Sequence, residues 1–213
     1  MKYDSYRYIF PPRPEYKIPP SDLQSFDDGT FMAEPKFNGD NGVIFFNSKE
    51  FIPMNRHGKK YPKYQLDTDE LKDLFPPDWN CLSGEYMAKS KKDENKSTFN
   101  HKFVIFDMLV YDGNYLLGTT FEDRWLMLYN RFNHRFISEN EYSYQITENI
   151  WLVKVWLTDF VTIWNKITKI DMIEGLVLKK RKSVSAKLLP GNVEKNNYLS
   201  QLKCRKSTKN YSY

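Results

Sequence analysis

Cysteine is nearly absent from this chain, with two among 213 residues, Cys81 and Cys204. Two cysteines without metal-ligand spacing exclude a disulfide framework and favour a reducing, cytosol-like compartment. No apolar run approaches the roughly 20 residues that a membrane helix needs, and Trp151-Leu152-Val153 is interrupted by Lys154. The start, Met1-Lys2-Tyr3-Asp4-Ser5-Tyr6, has no apolar stretch of the kind that marks a secretory signal. Internal repeats and low-complexity linkers are missing too. These absences describe a soluble cytoplasmic protein with no membrane partner, long enough for one substantial core, and organised as a single domain over 1–213.

What is plentiful is aromatic: 15 Tyr, 15 Phe and 5 Trp make up 16% of the chain. Most such rings build a core, and a few can stack on nucleic-acid bases, a contact that any base offers. Charge is unevenly placed. The formal net charge is +5, yet between 178 and 210 ten basic residues (Lys179, Lys180, Arg181, Lys182, Lys187, Lys195, Lys203, Arg205, Lys206, Lys209) face one acid, Glu194. That segment carries +9 and the remainder −4, which makes it a candidate for binding phosphates.

The proline-rich opening, through Pro11-Pro12-Arg13-Pro14 and Pro19-Pro20, excludes regular helix and central strand and reads as an extended arm wrapped on the domain. Strands are expected at 32–35, 42–46, 51–54, 81–88, 102–111, 151–157, 175–180 and 200–205, with a turn at 36–41 and an exposed loop at 89–97. Helices are expected at 67–75, stopped by Pro76-Pro77, at 121–136, and from a cap at Thr158 or Asp159 to Ile170. Strands interleaved with three helices give an α+β class with mostly antiparallel sheets flanked by helices.

Six short pieces occur in order: Lys36-Phe37-Asn38-Gly39, preceded by Glu34-Pro35; Asn55-Arg56-His57-Gly58; Leu82-Ser83-Gly84-Glu85; Phe106-Asp107-Met108-Leu109; Glu174-Gly175-Leu176-Val177-Leu178-Lys179; and Lys203-Cys204-Arg205. Each alone is weak. A lysine in a turn is ordinarily a solvated charge, and a Phe on an apolar strand is ordinarily core. As a set they fit one chemistry. A nucleophilic lysine must shed its proton, which neighbouring cations or desolvation favour. Lys179, Lys203 and Arg205 are expected to converge on Lys36 through strand pairing and to hold a triphosphate. Glu85 and Glu174 offer carboxylates to a hard divalent metal, and Gly39 is expected to let backbone approach the ligand.

The ordered set resembles the adenylation domain of ATP-dependent polynucleotide ligases, in the covalent nucleotidyltransferase superfamily that also includes RNA ligases and mRNA-capping guanylyltransferases. The resemblance spans 31–205. It implies a nucleotidyltransferase, ATP-grasp-like fold and a lysyl-AMP formed on Lys36. By the same resemblance Glu34 reads the base edge, Arg56 contacts ribose, Glu85 holds a ribose hydroxyl or a metal-bound water, and Phe106 stacks on adenine. Glu174 is implied at the metal, with Lys179, Lys203 and Arg205 on the phosphates. ATP with Mg²⁺ or Mn²⁺ is the implied cofactor set, and nicked or broken duplex DNA the implied partner.

Three departures stand out. Asn38 occupies a position commonly Asp, and Arg205 one commonly Lys. The chain also ends eight residues past Arg205, where most such ligases continue into an OB-fold. A shortened piece of a longer protein, a minimal viral-type enzyme whose basic tail replaces that clamp, and a protein partner that supplies it all remain open. The run 106–113 followed by Phe121 and Arg124 is more similar to DNA ligases than to RNA ligases. An RNA ligase, a GTP-using capping enzyme and a non-catalytic nucleic-acid-binding relative are the alternatives.

Overall fold

The computed structural model describes residues 1–14, 16–61, 64–66, 68–88, 91–184 and 200–207. Fourteen strands and three α-helices follow in chain order: β1 Tyr16–Lys17, β2 Phe31–Phe37, β3 Asp40–Phe46, β4 Phe51–Asn55, α1 Thr68–Lys72, β5 Asn80–Tyr86, β6 Lys91–Lys92, β7 Thr98–Phe99, β8 Phe103–Tyr111, β9 Asn114–Tyr115, α2 Phe121–Phe132, β10 Ser138–Glu139, β11 Ser143–Gln145, β12 Ile150–Val153, α3 Phe160–Ile167, β13 Ile173–Lys180 and β14 Gln201–Arg205. The class is α+β, and pairing is antiparallel except at β12–β8 and β1–β14.

Two sheets carry the fold. The larger runs β10-β11-β12-β8-β5-β3-β4 with β9 on β8, and the smaller β1-β14-β13-β2; β6 and β7 form a separate hairpin. The run Val43-Ile44-Phe45-Phe46 is apolar without alternation, so β3 needs cover on both faces. Ile44 and Phe46 meet Leu71 and Leu74 from the α1 region together with Leu128 and Phe132 of α2. Val43 and Phe45 meet Tyr3 and Ile9, so the N-terminal segment covers the second face. A third cluster joins the sheets: Leu176 and Leu178 of β13 and Cys204 of β14 pack with Trp164 of α3 and with Val104 and Trp151 of the large sheet.

Several boundaries differ from expectation for identifiable reasons. Lys36 is not in a turn but on β2, opposite Gly175 of β13; the chain turns only at Asn38 and Gly39. Within 89–97, Lys91 and Lys92 pair with Thr98 and Phe99, while 89–90 lie outside the described residues. The strand expected over 151–157 stops at Val153, and Trp156 then exchanges two 2.9 Å backbone hydrogen bonds with Ala33. The helix expected to 136 is α-helical to Phe132 and continues as a 3₁₀ turn over Asn133–Arg135. The opening arm contains a 3₁₀ helix at Pro20–Phe26, because proline is well tolerated in a first turn. The short β10 and β11 were not anticipated.

The start of α3 is instructive. Asp159 stands at its N-cap position but is left-handed (φ +63°) and makes no side-chain cap. Instead Asp27 Oδ2 accepts from the backbone N–H groups of Asp159 (2.7 Å) and Phe160 (3.3 Å). The cap is contributed by a residue distant in sequence, which no local pattern encodes. Among the described residues no helix is long and apolar enough to cross a membrane.

Candidate active site

Strand alternation builds the site. On β14, Cys204 packs into the core and Leu202 packs against it, so Gln201, Lys203 and Arg205 face the other way, into a cleft of 760 Å³ between the sheets. On β13, Val177 and Lys179 face that cleft. A register shift between Ile173 and Gly175 inserts one extra residue, which brings Glu174 to the same side. Gly175 is required there, because a Cβ would stand 2.0 Å from the Cys204 carbonyl oxygen. The pairings align Lys36, Gly175 and Arg205 across three strands, and beside them Glu34, Val177 and Lys203.

The large sheet closes the cleft with Glu85 of β5 and Phe106 of β8, and Arg56 and His57 come from the turn after β4. All nine residues singled out from the sequence therefore line one cleft: Glu34, Lys36, Arg56, Glu85, Phe106, Glu174, Lys179, Lys203 and Arg205.

Lys36 Nζ donates to Glu174 Oε2 at 2.7 Å, and Arg205 donates to Glu174 Oε1 at 3.0 Å. Glu174 thus stands between two cations. The Asn38 amide, turned to satisfy both neighbours, donates to Glu174 Oε1 at 3.1 Å and accepts from Lys91 Nζ at 3.0 Å. An aspartate could not make the first of these bonds, since it would set a second carboxylate against Glu174. The asparagine at this position thus suits its neighbours. Lys91, on the β6–β7 hairpin, carries no signal in the sequence that links it to the site.

Deeper in the cleft, Lys179 Nζ and Glu34 Oε1 pair at 2.7 Å with side chains only 3% and 5% exposed. The ammonium also lies 4.9 Å from the Phe106 ring centroid and 4.4 Å from that of Phe121, a cation–π arrangement. The second Glu34 oxygen is buried and has no hydrogen-bond partner, so the floor of the cleft presents one unsatisfied acceptor beside a half-buried aromatic ring. Arg56 is exposed at the rim, its Nε 3.1 Å from His57 Nε2.

Gly39 lines the cleft and also lies against β5, where a Cβ would meet Tyr86 O at 2.7 Å, and its N–H donates to Glu85 Oε1 at 3.1 Å. Glycine is needed there for this contact with protein, which orients Glu85.

Burial pushes the Glu34 carboxyl up to about 7 against the opposing pull of Lys179. Burial likewise raises Glu85 to about 7, opposed by Lys36 and the Gly39 N–H and reinforced by Glu174. Folding raises both, so the folded state keeps protons that the unfolded chain releases near 4.5. Their stabilising contribution is complete below that value and is lost as pH rises through about 7. Accordingly, Glu85→Gln is expected to flatten the decline of Tm between pH 5 and 8. A variant whose Tm tracks the native protein in parallel across that range would refute the assignment for Glu85.

Among the described residues no three acidic, histidine or cysteine side chains form a metal cluster. Mg²⁺ is commonly held by one or two carboxylates together with substrate phosphates, and Glu85 and Glu174, both in the cleft, fit that donor set. With six Lys or Arg side chains against four carboxylates, two of them only partly ionised at pH 7, the cleft favours a polyanion.

The chain is similar in fold to a mycobacterial DNA ligase D complexed with ATP and MES, at 18% identity and TM-score 0.64 over 92% of this chain and 60% of that one. The ligase domain of M. tuberculosis LigD gives 18% and 0.62 over 92% and 59%. The ATP-dependent DNA ligase of bacteriophage T7 in complex with ATP gives 15% and 0.56 over 92% and 68%. The chain spans about 60% of the length of the first two. No curated protein matches it. A sequence profile described as the ATP dependent DNA ligase domain matches residues 15–193. With most of its length so matched, the chain belongs to the ATP-dependent DNA ligase domain family.

Proposed function

We propose that residues 1–213 form one adenylation unit that seals 5′-phosphate/3′-hydroxyl breaks in duplex DNA, at the expense of ATP, in the cytoplasm. The observation that carries this reading is Lys36 at the end of β2, in a cleft with Lys203 and Arg205 on one wall and Phe106 and Glu85 on the other. The Lys36 ammonium first gives up one proton, for which Glu174 Oε2 at 2.7 Å is the neighbouring acceptor. The neutral amine then attacks the α-phosphorus of ATP: the N–P bond forms, the bond from that phosphorus to the pyrophosphate oxygen breaks, and the nitrogen sheds a second proton to give the phosphoramidate.

Adenine would stack on Phe106, with the unsatisfied Glu34 oxygen accepting from its exocyclic amine. Arg56 at the rim would meet the ribose. Lys203 and Arg205 would neutralise the phosphates, with Lys179 bracing Glu34 and the ring below. When bound, Mg²⁺ or Mn²⁺ on Glu85 and Glu174 would offset the charge that builds on the α-phosphate and the leaving pyrophosphate. AMP then passes to the 5′-phosphate of the break, and the 3′-hydroxyl displaces it to close the backbone. Both later steps are in-line displacements in which positioning and charge neutralisation carry most of the catalysis.

Two assays test the reading. Incubation with labelled ATP or labelled GTP should label the protein from ATP alone. The charged protein should then join nicked duplex DNA in preference to broken single-stranded RNA. Labelling from GTP would indicate capping chemistry, and joining confined to RNA would reassign the substrate.

A further inference from the structure

The N-terminal arm reaches the cleft while lying outside both walls, and it is fastened on either side. Upstream, the Tyr8 hydroxyl donates to Asn55 O at 2.9 Å. Its ring lies against Gly58, where an added Cβ would be 3.3 Å from it. That is the turn that carries Arg56. Downstream, β1 pairs in parallel with β14, Lys17 opposite Lys203, and Ile18 N–H donates to Lys203 O at 3.0 Å. The arm therefore bridges the Arg56 turn and the phosphate-facing strand, and Pro12, Arg13 and Pro14 between the anchors line the cleft.

The arm is also stiff. Pro11 and Pro12 are buried and have fixed φ, and Pro14 holds the preceding residue extended. Arg13 is half-buried in this segment. Among the described residues no carboxylate pairs with it, whereas Lys36 and Arg205 are held by Glu174 and Lys179 by Glu34. A guanidinium on a rigid support, partly withdrawn from water and with no carboxylate partner among the described residues, suits an incoming oxyanion. Its planar fork can engage a phosphate through two hydrogen bonds.

Building on the proposed function, we propose that Arg13 is a phosphate-binding residue of this cleft, supplied by the arm, that positions either the terminal phosphates of the nucleotide or the 5′-phosphate of the strand to be joined. The arm and the two sheets thus meet on a single substrate group.

The test uses the full chain carrying Arg13→Ala or Arg13→Lys, with two arms. One measures single-turnover formation of the AMP adduct as a function of ATP concentration. The other starts from AMP-charged protein and measures transfer to a 5′-phosphorylated nick. Arg13→Ala is expected to lose about tenfold or more in one arm, the loss of a charge-assisted hydrogen bond. Arg13→Lys should recover part of it, with Tm unchanged. Loss in the ATP arm assigns the nucleotide phosphates, and loss in the transfer arm the 5′-phosphate. Unchanged rates in both arms would overturn the inference, as would equal impairment of both variants accompanied by a lowered Tm. Native protein that takes up no AMP would overturn the proposed function as well, so the two failures are distinguishable.

Discussion

Replacing Arg124 with alanine is expected to destabilise the fold by about 3–5 kcal/mol, the cost of stranding a buried charge. Arg124 of α2 and Asp107 of β8 are only 2% and 3% exposed and meet through two bonds, Nε to Oδ1 at 2.7 Å and Nη2 to Oδ2 at 2.9 Å. A third bond, from Nη1 to Thr119 O at 2.7 Å, ties the guanidinium to the chain just before the helix. Without the arginine, Asp107 would retain its bond from the Met108 N–H and the more distant charge of Lys179. Burial raises its carboxyl, but Arg124, joined by the Lys179 charge and the Met108 N–H, outweighs burial and holds it below the ordinary range. Its contribution is therefore present above the unfolded value, near 4, and is lost as pH falls through the lower folded value.

The effect reaches the site because Asp107 follows Phe106. The pair ties α2 to the strand whose opposite side presents the ring to the cleft. Chemical denaturation at pH 7 gives the stability change directly. Removing both charges together, as Asp107→Asn with Arg124→Met, should cost less than Arg124→Ala alone, since no buried charge is then left unpaired. A single variant within 1 kcal/mol of the native protein would contradict the account.

That pair also marks how far the sequence is readable. Phe121 and Arg124 were noted only as a similarity to DNA ligases, and nothing in their spacing reveals a partner on β8. Strand alternation, by contrast, is visible in residues: Lys203 and Arg205, two apart, share the cleft face of β14, and Cys204 between them packs into the core. Asn38 and Gly39 are turn formers and locally favour a turn that would include Lys36; tertiary pairing with Gly175 prevails over that preference. Asp27 at the start of α3, Lys91 behind Asn38 and Arg13 on the arm share one property. Each acts across a long sequence separation through a single contact or a shared surface, and neither periodicity nor a local motif records such an event. Of the ten basic residues between 178 and 210, Lys187, Lys195 and Lys209 lie outside the described residues.

The second large effect concerns Lys36 itself. Lys36→Ala is expected to remain folded, its stability changed by about 1 kcal/mol or less. The side chain is 24% exposed and its ion pair is with a carboxylate that keeps Arg205. Adduct formation should fall at least a thousandfold, on the order expected when a nucleophile is removed. Closure of a strand that already carries AMP on its 5′-phosphate should survive, because that step uses the 3′-hydroxyl and no lysine nucleophile. Loss of all steps together would point to a structural defect or to a different role for the residue.

The central claim is that Lys36 is the residue that takes AMP, and peptide mass mapping after incubation with ATP and Mg²⁺ tests it most directly. The account predicts one AMP per chain, on the peptide that contains Lys36, and none in the Lys36→Ala protein. An adduct on Lys203 or another lysine, or no adduct on the native chain, would contradict it.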